Sequence, residues 1–487
     1  MGGDEGRPEA SCVYGITEKA VSPRVIDKCA RLVIIDKLQD AVRISSEAMK
    51  LPTFPRGVHP EEAKDATKDK RVVPLPPPEK VVIPLHQHFG APAQPLVKKG
   101  EEVFLGQKIG EARGLFSASV HASVSGKVLA VEDYNHPGGY PVLAVTISND
   151  GEDRPWPELK PVADPFALSP EEIRHRVKEA GVVGLGGAAF PTAVKLSPPP
   201  DKPIDTLILN GCECEPVLTA DFRVMVENPL DVLRGGELAR LATGARKIIL
   251  GIEDNKAEAA DAFASHLNGL RADVCLLKTK YPQGAEKNLI YALLRREVPR
   301  GGLPFDVGVV VQNVGTARAI WEAVASAKPL YERVITVGGS GIKEPKNLLV
   351  RVGTLFQEAV SFCGGIDEDA NLLVMGGPMM GLSQWSLDIP ILKGTSGLLA
   401  WRCRPFEREH ACIRCGRCVD HCPMGLLPTR LAKLVHYEKW ADAEKWGVLD
   451  CVECGCCQYI CPSKIPLVHW MRVGKNKIAR AKRKKRA

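Results

Sequence analysis

Between residues 169 and 329 the chain alternates two hydrophobic patterns. Short runs of β-branched and aliphatic residues at 206–209, 247–252, 274–277 and 307–312 predict strands buried on both faces. Between or after them, 256–267, 286–296 and 317–327 carry apolar residues at helical spacing. Ser169-Pro170-Glu171-Glu172 opens a further helix, with a capping serine, a first-turn proline and a reciprocal glutamate, and Gly181 ends it. Such alternation predicts a largely parallel sheet covered on both faces, with ligands beyond the carboxyl ends of the strands. Residues 81–131 read instead as short strands with turns, and 333–399 as a second region of short apolar runs rich in valine and glycine. The segment 70–80, with Pro74, Pro76, Pro77 and Pro78, predicts an extended linker. Within the first 50 residues only 25–38 has helical character.

A length of 487 residues suggests about three folding units. Hydrophobic residues at 45% and charged residues at 25% exclude wholesale disorder. The net charge of +7 is local, because nine basic and no acidic residues fall between 472 and 486, leaving −2 for the rest. A nucleic-acid-coating protein is therefore excluded. The basic end reads either as a solvated terminus or as a segment lying against anionic lipid. No apolar run reaches the ~18 residues of a membrane span, and Met1-Gly2-Gly3-Asp4-Glu5 does not start a signal peptide. These features predict a cytoplasmic chain, in which sixteen cysteines point to metal or redox chemistry rather than disulfides.

Nine of those cysteines lie between 412 and 461. Cys412, Cys415, Cys418 and Cys422-Pro423 form a C-x-x-C-x-x-C-x-x-x-C-P run, repeated with identical spacing by Cys451, Cys454, Cys457 and Cys461-Pro462. Three thiolates so spaced wrap three corners of a cubic cluster, and the fourth reaches the other cluster. The ligand sets predicted for two 4Fe–4S clusters are thus Cys412, Cys415, Cys418 and Cys461, and Cys451, Cys454, Cys457 and Cys422. Structural zinc also takes four thiolates, but zinc ribbons use separated pairs rather than four-cysteine runs. Cys456 is out of phase and reads as a packing thiol; Cys12, Cys29, Cys275, Cys363 and Cys403 read as buried small hydrophobes.

A second candidate lies between the first helix and first strand of the alternating region: Gly184-Leu185-Gly186-Gly187-Ala188-Ala189-Phe190-Pro191-Thr192, with Lys195 following. Glycines let the backbone approach a phosphate or ring, and its amides can cradle an anion. The loop lacks the Gly-Lys-Ser/Thr of a P-loop. Three more polar loops accompany it, at 210–216 (Asn210, Glu213, Glu215), 281–287 (Gly284, Glu286) and 312–316 (Asn313, Thr316). Taken alone, Glu213 and Glu215 also read as ordinary exposed loop charge.

Together these motifs resemble the RnfC family, the NAD-linked component of the Rnf electron-transport complex, over about residues 54–473. The middle domain is similar to the NADH- and FMN-binding flavoprotein subunit of respiratory complex I. Gly57-Val58-His59-Pro60, Pro84-Leu85-His86-Gln87-His88, 277–284, Gly376-Gly377-Pro378-Met379-Met380-Gly381, the glycine loop and both cysteine runs carry the resemblance. It implies a multidomain α/β protein: a barrel-sandwich hybrid module over 54–150, a Rossmann-like FMN/NADH domain over 151–330, a β-grasp domain over 331–400 and an α-helical bacterial-ferredoxin-like two-cluster domain over 401–470. An extension over 1–53 and a basic tail over 471–487 flank them. Gly184, Gly186, Lys195, Asn210, Glu213 and Asn313 would hold FMN, with Phe190, Glu215 and Glu286 on the NADH side, and Gly187, Gly284 and Thr316 complete the cofactor-binding set. Ala189 and Ala285 depart from the family's glycines. The hinge at 111–116 lacks the lysine modified in biotinyl and lipoyl domains, and Glu47-Ala48-Met49-Lys50, like a biotinylation tetrapeptide, lies outside the barrel.

What the resemblance implies is electron transfer between NAD(H) and ferredoxin through FMN and two 4Fe–4S clusters, coupled by partner subunits to Na⁺ or H⁺ translocation. The implied place is peripheral, on the cytoplasmic face of the membrane. The other components of the complex, including its iron–sulfur RnfB protein, are the partners, ferredoxin is reached indirectly, and no nucleic acid is bound. Two rival readings are a flavin/iron–sulfur cobalamin reductase and a flavin-free electron relay.

Overall fold

The computed structural model describes residues 50–267, 271–403 and 408–486, with side chains as far as 482. Cys12, Cys29, the 25–38 segment and most of the 47–50 tetrapeptide lie outside the described residues. At the centre is a four-stranded, all-parallel sheet, in the spatial order Ala272–Leu277, Lys247–Glu253, Thr206–Gly211, Val309–Asn313. Leu207, Ile208 and Leu209 in its middle strand are fully buried, as a sheet covered on both faces requires. The helix Pro170–Glu179 carries the expected capping box between Ser169 and Glu172.

Two helices of the α/β domain, Ala220–Glu227 and Pro229–Thr243, fall outside the hydrophobic runs read from the sequence. Pro229–Thr243 contains Gly235 and Gly236, which read as breakers. Tertiary contact overrides propensity here. A Cβ on Gly235 would stand 1.7 Å from the Ala317 carbonyl oxygen of the helix Val314–Ala325, and one on Gly236 would stand 2.8 Å from Leu209. The missing side chains let two helices and the sheet close together.

On one side a four-stranded sheet (Lys80–Pro84, Tyr140–Asn149, Gly126–His136, Glu102–Val103) and a three-stranded one (Gln94–Pro95, Lys108–Glu111, Val120–His121) enclose a single core of Val81, Ile83, Ile109, Val120 and Val145. This is the barrel-sandwich module. A six-stranded sheet, built largely from residues 332–401, forms the β-grasp domain. Its edge strand is Val73–Pro74, parallel to Leu348 and Leu349. The segment expected to be a linker is therefore part of a sheet; prolines suit an edge that gives up one row of donors.

The cysteine domain is helical. Its last helix, Leu467–Arg486, crosses the 470/471 boundary and buries Leu467, Met471 and Ile478 against the helix Pro428–His436. Arg472 and Lys475 pair with Glu453, and Lys482 with Glu444 at 2.5 Å. The first part of the basic end is thus a docked helix rather than a frayed terminus. Of the isolated cysteines within the described residues, Cys363 is fully buried, whereas Cys275 and Cys403 are only half-buried.

Replacing Gly235 by leucine should destabilise the chain by about 1–3 kcal/mol or more through overpacking, read as a drop in thermal midpoint. Gly244→Ala, at a left-handed helix end with open space around it, should cost less.

Candidate flavin and iron–sulfur sites

The glycine loop leaves the core at Gly184, whose amide donates to the Phe190 carbonyl at 2.8 Å. Gly186, Gly187 and Ala188 are exposed between these ends. No backbone acceptor within the described residues takes the amides of these three. A Cβ on Gly187 would meet nothing within 4 Å, and one on Gly186 only Asn313 at 3.5 Å. This is an open cradle with available N–H groups, which suits a phosphate or a planar ring. Ala189 holds φ +47°, the left-handed region where glycine is easiest, so the departure from glycine carries local strain of about 1–2 kcal/mol.

Several residues expected to grip FMN first shape the cleft. Asn313 caps the helix Val314–Ala325 through its Oδ1 and donates its Nδ2 to Asp221 at 2.6 Å. Thr316 accepts the Leu185 amide at 2.9 Å, fixing the base of the loop. Asn210 donates to the Gly284 carbonyl at 2.8 Å and accepts from the Cys212 amide, joining the 210–216 and 281–287 loops. Both carboxylate oxygens of Glu213 accept backbone amides, from Asp221 at 2.7 Å and Phe222 at 3.1 Å. Glu213 is therefore a helix-terminus acceptor, not an ordinary exposed loop charge. Burial, and then the Glu213 charge, push the neighbouring Asp221 carboxyl up to about 7.

Lys195 and Glu286, assigned to opposite sides of the cleft by resemblance, form one ion pair at 2.7 Å. Phe190 lies between two rings of the barrel module, stacked on Phe89 (centroids 5.6 Å, 28°) and edge-on to Phe116 (5.9 Å, 62°). The lysine-free hinge thus ends beside the glycine loop. Glu215 accepts the Met379 amide at 2.9 Å, and burial raises its carboxyl above the ordinary range.

Two positioning residues, Lys64 and Arg333, carry no signal in the sequence, and a third, Tyr281, lies in a loop the sequence marks for other reasons. Lys64 is buried and donates to the carbonyls of Glu213 (3.0 Å), Glu215 (2.9 Å) and Leu218. Arg333 donates to the Lys393 carbonyl at 2.6 Å and reaches the Leu185 carbonyl at 3.5 Å. Tyr281, inside a stretch that supports the resemblance, exchanges two backbone hydrogen bonds with Val58 and donates its hydroxyl to the Cys454 carbonyl at 2.7 Å. The 281–287 loop is so tied directly to the cysteine domain.

The eight motif cysteines separate into two cavities. Cys412, Cys415, Cys418 and Cys461 line one of about 660 Å³; Cys422, Cys451, Cys454 and Cys457 line a closed one of about 20 Å³. This division matches the crossed ligand sets. Among the described residues no three His, Cys, Asp or Glu converge as they would on a single ion. The thiols surround spaces instead, an arrangement that suits a cluster contributing its own sulfides. Cys456 is fully buried and lines neither cavity; its Sγ faces the Tyr281 carbonyl and bonds the side chain of Cys454.

A glycine-lined flavin cradle fused to a paired cysteine domain defines a flavin/iron–sulfur electron-transfer protein. Family descriptions match in the same order along the chain: RnfC barrel sandwich hybrid domain over residues 52–152, Nuo51 FMN-binding domain over 177–322, SLBB domain over 334–383, and 4Fe-4S dicluster domain over 411–465. The chain is 48% identical to the C component of the proton-translocating ferredoxin:NAD(+) oxidoreductase complex of Clostridium ljungdahlii, across 82% of this chain and 88% of that one. It is 46% identical to the Na(+)-translocating counterpart of Acetobacterium woodii, across 89% and 98%. The corresponding component of the ion-translocating oxidoreductase complex of Rhodobacter capsulatus is 41% identical, across 88% and 84%. The chain belongs to the RnfC family of Rnf-type ion-translocating oxidoreductases.

Asp221 makes a pH test available. Between the unfolded carboxyl value of about 3.9 and the folded value near 7, the native state binds the extra proton, so this group removes stability as pH rises. In flavin-free chain, Asp221→Asn should melt progressively higher than the parent from pH 5 to pH 8. An offset in melting temperature that stays constant across that range contradicts the assignment.

Proposed function

We infer that this chain is the peripheral NAD-linked subunit of an Rnf-type complex, moving electrons between NAD(H) and, through partner subunits, ferredoxin. Relatives bearing the names of ferredoxin:NAD(+) oxidoreductase subunits support the reading, as do the FMN-binding and dicluster domain matches. The observation that carries it is the junction at Tyr281, which ties the loops beside the glycine cradle to the wall of the closed cysteine cavity. Bound FMN supplies the conversion between hydride pairs and single electrons that NAD(H) and iron–sulfur clusters require.

The residues of the chain bind and orient. Gly184, Gly186 and Gly187 offer backbone to the flavin, with Lys195 at the base; Asn210, Glu213, Gly284, Asn313 and Thr316 hold the surrounding loops in register. Phe190, Glu215 and Glu286 lie on the nicotinamide side, where Phe89 and Phe116 help exclude water. Cys412, Cys415, Cys418 and Cys461 would hold one cluster, and Cys422, Cys451, Cys454 and Cys457 the other. Among the described residues no helix is long and apolar enough to cross a membrane. On this reading the Na⁺ or H⁺ path lies in partner subunits, and the chain docks on them at the cytoplasmic face.

Gly186→Asp places a carboxylate beside Asn313 and Asp221, where the cradle is open. Protein purified without oxygen should lose its flavin while iron and sulfide content stay at the parent level. Cys415→Ser should remove one cluster, seen as halved iron, and leave NADH-dependent flavin bleaching intact. Retained flavin in the first variant, or loss of bleaching in the second, defeats the division of labour.

A further inference from the structure

The two cysteine cavities have opposite surroundings. No charged side chain lines the closed one, whose walls are Pro423, Met424, Leu426, Leu431, Val468, Met471 and their like. The open one is lined by Arg414, Arg430, Lys433 and Lys439 and, among the described residues, by no Asp or Glu. All four cations are exposed. Ile413 and Tyr437 on the same rim are 67% and 69% exposed, among the most exposed large apolar side chains of the described chain. Arg430 lies over Trp446, 3.6 Å from the ring centroid, which holds that side of the rim rigid.

Charge compensation does not account for this rim. Two clusters with four thiolates each carry the same charge in the same oxidation state, yet no cation lines the closed cavity, and Lys475, which reaches the Cys451 carbonyl beside it, is already neutralised by Glu453. The basic groups face outward around one site only, with an apolar pair among them. An apolar centre within a charged edge is the anatomy of a protein–protein contact, and the sign of the edge selects the partner. In the last helix Arg472 and Lys475 pair with Glu453 and Lys482 with Glu444, and no residue of that helix lines the rim.

We propose that the rim formed by Ile413, Arg414, Arg430, Lys433, Tyr437 and Lys439 is the docking face for the acidic surface of an iron–sulfur electron carrier. The proposal rests on the electron-transfer reading above and adds to it the end of the chain at which a protein partner sits. Lys433 and Lys439 would steer the partner by long-range attraction; Ile413 and Tyr437 would make the dry contact once it has arrived.

Binding rather than turnover tests this. Full-length chain, purified without oxygen and checked for iron and flavin, is titrated calorimetrically at low and high salt with an acidic two-cluster bacterial ferredoxin, a soluble stand-in for the iron–sulfur partner subunit that would occupy the rim. Binding should be present at low salt and fade at high salt. Lys433→Glu/Lys439→Glu should weaken it about tenfold or more, the Lys433→Gln/Lys439→Gln pair less, and Lys99→Glu on the barrel not at all. Iron content should be equal in all variants. Equal affinity of parent and glutamate pair, or salt-independent binding, overturns the proposal. So does lysine-dependent binding to phosphatidylglycerol vesicles without binding to the ferredoxin. If the glutamate pair fails to fold, the glutamine pair and the salt series decide. A parent chain lacking flavin or iron sinks the electron-transfer reading instead; intact cofactors without charge-dependent binding sink the docking face alone.

Discussion

A cation taken out of water needs oxygens around it, and in this chain the oxygens that meet three buried cations are mostly backbone carbonyls from different domains. Lys393, in the β-grasp domain, donates to the Ser119 carbonyl of the barrel at 2.8 Å and the Gly181 carbonyl of the α/β domain at 2.7 Å. Burial alone brings its ammonium down to about 7. Arg333 ties the Lys393 carbonyl toward Leu185 at the root of the glycine loop, and Lys64 gathers three carbonyls of the 213–218 loop. A carbonyl accepts only in a limited range of directions, so these contacts specify backbone position. Leaving one such group unsatisfied costs about 1–3 kcal/mol, more when it is charged. The domains are consequently held at fixed positions, which a one-electron path through the protein requires.

The same bonds explain the division between the back and the front of the cleft. Behind the glycine loop, Thr316, Asn313, Arg333 and Lys393 occupy their hydrogen-bonding capacity within the protein. In front, the amides of 186–188 have no backbone acceptor among the described residues. Rigid support with unsatisfied donors on the open side is how a preorganised anion site is built. Ala189 fits this picture. Its strained φ is held by packing, with the Gly394 backbone close enough that an added Cβ there would lie 3.2 Å from its own.

Periodic elements were legible in the chain, and so was any chemistry written as spacing. The four strands of the parallel sheet lie within a few residues of their hydrophobic runs, because a strand buried on both faces has few other ways to be written. The cysteine runs announced both cavities, since their spacing is itself the geometry. What stayed hidden depends on partners distant in sequence. The helix Pro229–Thr243 was not picked out at all, because Gly235 and Gly236 fit a helix only where Val314–Ala325 and Leu209 press against them. Val73–Pro74 looked like linker because the strand it joins lies some 270 residues later, as the pairing with Leu348 and Leu349 shows. Lys64 gave no sign at all, for a lysine in a charged run becomes a buried positioning group only through the loop that folds over it. Glu213 and Asn313 were singled out as cofactor ligands, whereas the bonds they make within the chain go to helix termini.

The crossing of the two cysteine runs gives the last step. Because Cys422 turns back into the second set and Cys461 into the first, neither cavity can form without the other run in place. The domain therefore folds as one piece around both sites, and the distance between them is set by covalent geometry rather than by domain docking. The closed cavity is fastened to the nucleotide-side loops through Tyr281 and Cys454, and the open one faces outward beside Ile413 and Tyr437. A rigid two-site unit with one end buried against the flavin domain and the other exposed has a direction built into it. That polarity follows from which cysteine carries the Tyr281 contact, and it holds whichever way the electrons run.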